Sequence, residues 1–121
     1  MAVPPVIAIV DDDGDMRAAL GDLLLVEGLA CRAFESAEAF LASYAPGAFT
    51  AVITDVRMPG MNGLELLAHI KRSDPDLPVI VVTSAMDAQT HKRATDGGAW
   101  AFLVKPVRNA DLLDHLATIL R

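Results

Sequence analysis

One cysteine, Cys31, is all that the 121 residues contain, so no internal disulfide can form. A lone thiol in an apolar stretch agrees with a reducing, cytoplasmic setting and reads as a small core residue. Basic residues are few and scattered, ten Lys and Arg against sixteen Asp and Glu, for a formal net charge of −6. A surface for nucleic acid or anionic lipid gathers basic side chains on one face, so direct binding to nucleic acid or membrane is not expected. No apolar run is long enough to span a bilayer. The opening Met1-Ala2-Val3-Pro4-Pro5 has neither the basic region nor the apolar segment of a secretory signal. Glycine-rich phosphate loops are missing too: neither Gly-x-Gly-x-x-Gly nor Gly-x-x-x-x-Gly-Lys occurs, which removes dinucleotide-binding and P-loop functions. Repeats, low-complexity tracts and linkers are also lacking. With 53% hydrophobic residues the chain can build one core but not two, and a single domain over 1–121 is expected.

What is present is an alternation of short apolar runs with longer amphipathic segments. The runs are Val6–Val10, Leu29–Phe34, Ala51–Thr54, Pro78–Val82 and Trp100–Val104. Three are rich in Val and Ile and apolar on both faces, as strands buried in a parallel sheet are; the second and fifth are less regular. Between them, Leu20, Leu23 and Leu24 repeat at helical spacing after Asp13 and Asp15. Ser36 is placed to cap a short helix carrying Phe40 and Leu41. Asn62 with Glu65 three residues on resembles a capping box before Leu66, Leu67 and Ile70. Asn109 is expected to cap a last helix with Leu112 or Leu113, Leu116 and Leu120 inward. The segment Asp87–Asp96 has helical length but only Ala88 and Ala94 as apolar stripe, so it is predicted to be the loosest helix. Five strands alternating with five helices predict a doubly wound α/β domain, flavodoxin-like, with a five-stranded parallel sheet in the order 2-1-3-4-5.

Ligands of such sheets lie outside the carboxyl ends of the strands. There the sequence places Asp11-Asp12-Asp13, Asp55, Thr83 and Lys105-Pro106. Taken singly, these are ordinary strand-end residues, and an Asp run before a helix is often a cap. Together in one crevice they suggest chemistry. Clustered carboxylates ionise together only with a cation between them, and an all-oxygen acidic site without His or Cys suits Mg²⁺. A metal-shielded carboxylate, Asp55, can then act as a nucleophile toward an anionic phosphoryl donor. Lys105 and Thr83 are placed to meet the phosphoryl oxygens.

Asp11-Asp12 after a Val/Ile run, Asp55-Val-Arg-Met-Pro-Gly-Met-Asn-Gly63, Val-Val-Thr83-Ser84 and Phe102-Leu-Val-Lys105-Pro106 together resemble the response-regulator receiver family from end to end. The wording around Asp55 and Ser36-Ala-Glu-Ala-Phe-Leu41 is similar to receivers that precede a helix-turn-helix output domain. Receivers are themselves an example of the 2-1-3-4-5 order. The resemblance implies Asp55 as phosphoacceptor, charged by a histidine kinase or phosphotransfer protein. It implies Mg²⁺ held by Asp12, Asp55 and the backbone carbonyl of Arg57, with Asp11 acting through water. It also implies Thr83 and Phe102 as a switch pair, Lys105 as partner of the phosphoryl group, and a cis bond before Pro106. A homodimer or output partner would use the fourth helix, fifth strand and fifth helix. Two departures stand out: Ala101, where many relatives carry a polar residue, and Trp100, which either packs in the core or anchors a partner.

Two other functions compete. A phosphohydrolase with an aspartyl nucleophile needs a second Asp two residues on, where Arg57 stands. A receiver-like interaction module that no longer takes phosphate would be expected to have lost an acid or the Lys, and all are kept. His69, His91 and His115 share no motif and read as structural. The fifth predicted helix reaches the C-terminus, so no output domain is expected within the 121 residues.

Overall fold

The computed structural model describes residues 4–84 and 87–121. Along the chain run β1 (Val6–Val10), α1 (Gly14–Val26), β2 (Ala30–Phe34), α2 (Ala37–Ser43), β3 (Ala51–Thr54), α3 (Gly63–Ser73), β4 (Val79–Thr83), α4 (Ala88–Asp96), β5 (Ala101–Val104) and α5 (Asn109–Ile119). All strand pairs are parallel and the sheet order is β2-β1-β3-β4-β5, as predicted.

The apolar runs are buried because each faces two layers. Successive residues of a strand point to opposite sides. Ala8, Val10, Val52, Val79 and Val81 therefore join the core beneath α2 and α3. Ile7, Ile9, Ile53, Ile80 and Val82 face the other way, beneath α1 and α5. Strands β1, β3 and β4 have no water side, so alternation is absent from their sequences. A fully buried Ile or Val contributes about 1.5–3 kcal/mol relative to exposure, and these central strands hold the largest share of it.

Edges explain the irregular runs. β2 lies at one edge with Ala30, Arg32 and Ala33 exposed. Arg32 is accommodated because its guanidinium lies over the rings of Phe34 and Phe49, 5.3 and 5.8 Å from their centroids. Cys31 is half-buried against the α1 side rather than fully interior. Strand β5 starts at Ala101, not Trp100. The Trp100 amide donates to the Val79 carbonyl at 2.7 Å, but its side chain emerges past the sheet and is 46% exposed, so it does not pack in the core. Likewise Leu29 and Pro78 fall just outside β2 and β4, while β4 runs one residue further than its apolar run, to Thr83.

Caps start four of the five helices. Asp13, Ser36 and Asp87 accept amide hydrogen bonds from the first turns of α1, α2 and α4. At α3 the capping box is complete: Glu65 N–H donates to Asn62 Oδ1 at 2.9 Å and Asn62 N–H to Glu65 Oε1 at 3.0 Å. The last helix corrects the expectation for Asn109. The Arg108 carbonyl already accepts from the amides of Asp111 and Leu112, which makes Arg108 the cap and Asn109 the first helical residue. No side chain caps α5; Asp111 instead puts a negative charge in its first turn, where the helix dipole favours one. Helix α4 is sparsely packed, with Ala94 as its one buried residue.

Phe40 is completely buried and meets Phe34 and Phe49 at centroid distances of 5.6 and 5.2 Å. Phe40→Ala should therefore cost about 3–5 kcal/mol in urea unfolding, whereas Asn62→Ala, which removes half of the capping box, should cost about 1 kcal/mol. Equal small losses in both variants would contradict the core described here.

Candidate functional site

Three strand ladders continue one residue past their strands. The Asp11 amide donates to the Phe34 carbonyl (3.1 Å), the Asp55 amide to Val10 (3.0 Å) and the Lys105 amide to Thr83 (2.9 Å). Side chains at these positions are thus set by the sheet itself, and all three leave it at the same end. Strand order does the rest: β1 lies beside β3, and β4 connects β3 to β5.

At this end the carboxylates of Asp11, Asp12 and Asp55 approach closely enough to share an ion, with one oxygen from each within 4.8 Å of the others. Lys105 Nζ is 3.1 Å from both Asp11 Oδ2 and Asp55 Oδ2, across 94 and 50 positions of sequence. Asp11 is 3% exposed and Asp55 9%, while Asp12 is open to solvent. The other oxygens are occupied too. Val56 N–H donates to Asp55 Oδ1 at 2.7 Å, and Asp13 N–H to Asp11 Oδ1 at 2.9 Å. Asp13 itself turns away as the cap of α1, so the Asp run divides into two site residues and one helix start.

Burial pushes the Asp11 carboxyl above its usual value, and the Asp13 amide and Lys105 offset this only in part. For Lys105, burial acts to lower the ammonium, but hydrogen bonds and charge from Asp11 and Asp55 prevail and hold it above the usual lysine value. Three carboxylates against one ammonium leave the crevice negative. An all-oxygen donor set of this kind can hold a divalent cation, with Asp11, Asp12 and Asp55 as the candidate ligands.

The remaining predicted residues lie on β4, on β5 and in the loops after β3 and β5. Thr83 is completely buried at the end of β4, opposite Val104 in register. Phe102 lies two residues earlier on β5 and is half-buried. Arg57 is exposed in the loop after β3, and the Lys105–Pro106 bond is cis. The loop after Asp55 returns tightly: Gly63 N–H donates to the Val56 carbonyl at 2.8 Å, and a Cβ on Gly63 would collide with the Asp55 carbonyl. A cleft of about 460 Å³ lies beside the carboxylates between α1 and the chain after β5. Met16, Leu20, Leu23 and Val107 line it, together with Lys105.

Three supporting residues were not identified from sequence. Arg17 Nη1 donates to the Asp11 carbonyl at 2.7 Å. Glu38 Oε2, on α2, accepts from Met61 N–H at 3.0 Å and ties down the loop after Asp55; that bond lowers the Glu38 carboxyl. His91 stacks on Phe102. Arg17 and Glu38 are ordinary exposed helix residues by pattern, with partners 6 and 23 positions away, and nothing local marks them. His91 belongs to no His motif; only its place one turn into α4, facing β5, could have singled it out.

The family model described as "Response regulator receiver domain" matches residues 7–117. The C4-dicarboxylate transport transcriptional regulatory protein DctD of Rhizobium meliloti is 40% identical over 106 residues, 88% of this chain and 23% of that protein. The response regulator protein FleR of Pseudomonas aeruginosa is 42% identical over 111 residues, 92% of this chain and 24% of that one. The chain thus spans about a quarter of the length of these relatives. Among solved structures, a response regulator receiver domain protein from Methanospirillum hungatei superposes with a TM-score of 0.91 at 29% identity, covering 98% of this chain and 94% of that one. A match that spans nearly every element of the sheet and its helices, on a chain that gathers its acids and its lysine at one end of that sheet, has one meaning: the chain belongs to the response-regulator receiver family.

Proposed function

We propose that this receiver accepts a phosphoryl group on Asp55, from a histidine kinase or a phosphotransfer protein in the cytoplasm, and signals by changing shape. The observation that carries this reading is the shared crevice: three carboxylates with oxygens within 4.8 Å, and one ammonium 3.1 Å from two of them. An Asp55 oxygen attacks the phosphorus of a phosphohistidine, the P–N bond breaks, and its electron pair leaves on the imidazole nitrogen, which takes up a proton. The product is an acyl phosphate on Asp55. Asp12, Asp55 and the Arg57 carbonyl would hold Mg²⁺, with Asp11 acting through water. When bound, Mg²⁺ shields the carboxylates from the anionic donor and neutralises charge on the transferring group.

The chain's own groups supply the rest. Lys105, released from Asp55, pairs with the new phosphoryl oxygens; the Thr83 hydroxyl turns toward them, and Phe102 follows inward. The domain catalyses only its own phosphorylation and dephosphorylation. Arg57 stands where an aspartyl phosphohydrolase needs its acid–base Asp. Residues 1–121 are proposed as one receiver domain. The name of DctD, a transcriptional regulatory protein of which this chain spans about a quarter, supports an output domain that acts on transcription as the downstream partner, and the sequence resemblance points to the helix-turn-helix kind. A homodimer or output partner would dock on α4, β5 and α5. Trp100, exposed just before β5, offers that surface an aromatic anchor.

With Mg²⁺ and acetyl phosphate, intact mass should show one phosphoryl group, labile to base and hydroxylamine. Asp55→Ala should abolish it, and persistent labelling of that variant would move the acceptor elsewhere. Lys105 and a cation compete for the same oxygens in the resting protein. Lys105→Ala should therefore melt lower than the parent without metal, bind Mg²⁺ more tightly in calorimetry, and accept phosphate more slowly. Unchanged Mg²⁺ affinity in Lys105→Ala would show that the metal sits away from Asp11 and Asp55. Asp12→Ala should instead lose Mg²⁺ affinity with the fold intact by circular dichroism, and unchanged affinity would exclude Asp12 as a ligand.

A further inference from the structure

Helix α4 is held to the rest of the molecule differently at its two ends. At the C-terminal end the grip is tight: Ala94 is completely buried, the Ala99 amide returns to the Ala94 carbonyl, and a Cβ on Gly97 would stand 3.1 Å from Leu67 Cδ2 of α3. The first turn is well formed in itself. Asp87 Oδ1 accepts from Thr90 N–H at 2.7 Å and Oδ2 from Thr90 Oγ1 at 2.8 Å, and the His91 amide donates to the Asp87 carbonyl. Among the described residues, the contact that ties this turn to the sheet is a stacked pair. The imidazole of His91 lies on the ring of Phe102, centroids 4.8 Å apart and planes 19° from parallel. Beside the pair is a cavity of about 330 Å³ lined by Asp87, Ala88, His91, Phe102 and Val104, so among the described residues the turn above Phe102 has open space at its side.

We propose that His91 is the positioning residue through which Phe102 sets the orientation of α4. While the Phe102 ring lies under the imidazole, the first turn of α4 is held on β5. When the ring leaves, that turn is released, and the helix pivots about its Ala94–Gly97 end. This inference rests on the reading of Phe102 as a side chain that moves when Asp55 is phosphorylated. Because the first turn is internally hydrogen-bonded, it moves as a unit and not residue by residue. A stacked aromatic pair biases such an equilibrium about two- to tenfold, which is enough to matter for a helix with one buried residue.

Two arms test it. In metal-free, unphosphorylated protein, His91→Ala should raise amide exchange in residues 87–93 by about two- to tenfold, with 94–97 unchanged. His91→Phe, which keeps a ring on Phe102, should restore the parent rate, and His91→Ala should add nothing in a Phe102→Leu background. Equal exchange in the parent, His91→Ala and His91→Phe would overturn the inference, and this arm needs no phosphorylation. In the second arm, beryllium fluoride with Mg²⁺ is added and the three imidazoles are followed by carbon-detected or proton–carbon NMR. The ring signals of His91 should shift as Phe102 leaves, while those of His69 on α3 and His115 on α5 stay. An unmoved His91 signal in protein whose Asp55 is demonstrably labelled by acetyl phosphate would overturn the coupling alone and leave the phosphoacceptor reading standing. Failure of labelling at Asp55 would sink that reading, and the first arm would still decide the role of His91.

Discussion

Three carboxylates gathered at the ends of two adjacent strands repel one another, and Lys105 reaches two of them, its Nζ 3.1 Å from Asp11 and from Asp55. The ammonium comes from the far end of the chain, 94 residues from Asp11. It can stand there only because β5 is docked against β4, whose Thr83 carbonyl holds the Lys105 amide. In the resting protein this contact closes the crevice electrostatically and keeps Asp55 paired. On the proposed function it is also a contact that must open, since an incoming cation or phosphoryl group would draw on the same oxygens and the same ammonium. Stability of the resting site and its readiness to react are therefore set by one set of atoms.

Beneath that edge the molecule is built to stay still. The central strands bury side chains on both faces, and the loop after Asp55 is fixed three ways, by the Gly63 turn, the capping box of α3 and the Glu38–Met61 bond across from α2. The β5–α4 side is different. Its strand is half-buried throughout and its helix contributes one buried residue. Regions that respond to a ligand are drawn from the least stable part of a fold, where small changes in contact energy can shift populations. Here that part adjoins Thr83 and Lys105 directly, so a change at the acids has a short path to a surface.

Legibility followed the strength of local physics. Val/Ile runs without alternation announced β1, β3 and β4, because strands buried on both faces have no polar side to show. Asn62 and Glu65 announced the start of α3, because a capping box is complete within four residues. Where position depends on the path of the chain through space, reading failed. Asn109 looked like a cap, yet the turn after β5 brings the Arg108 carbonyl into the first helical bonds one residue sooner. Trp100 reads as part of a strand, yet it lies one residue before β5 and is 46% exposed. Arg32 is accommodated in an edge strand by Phe34 and Phe49, whose rings lie beneath its guanidinium.

What the sequence determined by itself was the parts list and its order: five apolar runs, a helix after each, and a polar residue of definite chemistry just past four of the runs. These follow from interactions among residues a few positions apart. Only the tertiary structure decided which of those polar groups touch. It assigned Asp11 to the crevice and Asp13 to a helix end, gave Lys105 two partners, and laid His91 on Phe102. Each of those contacts joins atoms whose separation depends on strand order and ladder register, which no stretch of a few residues specifies.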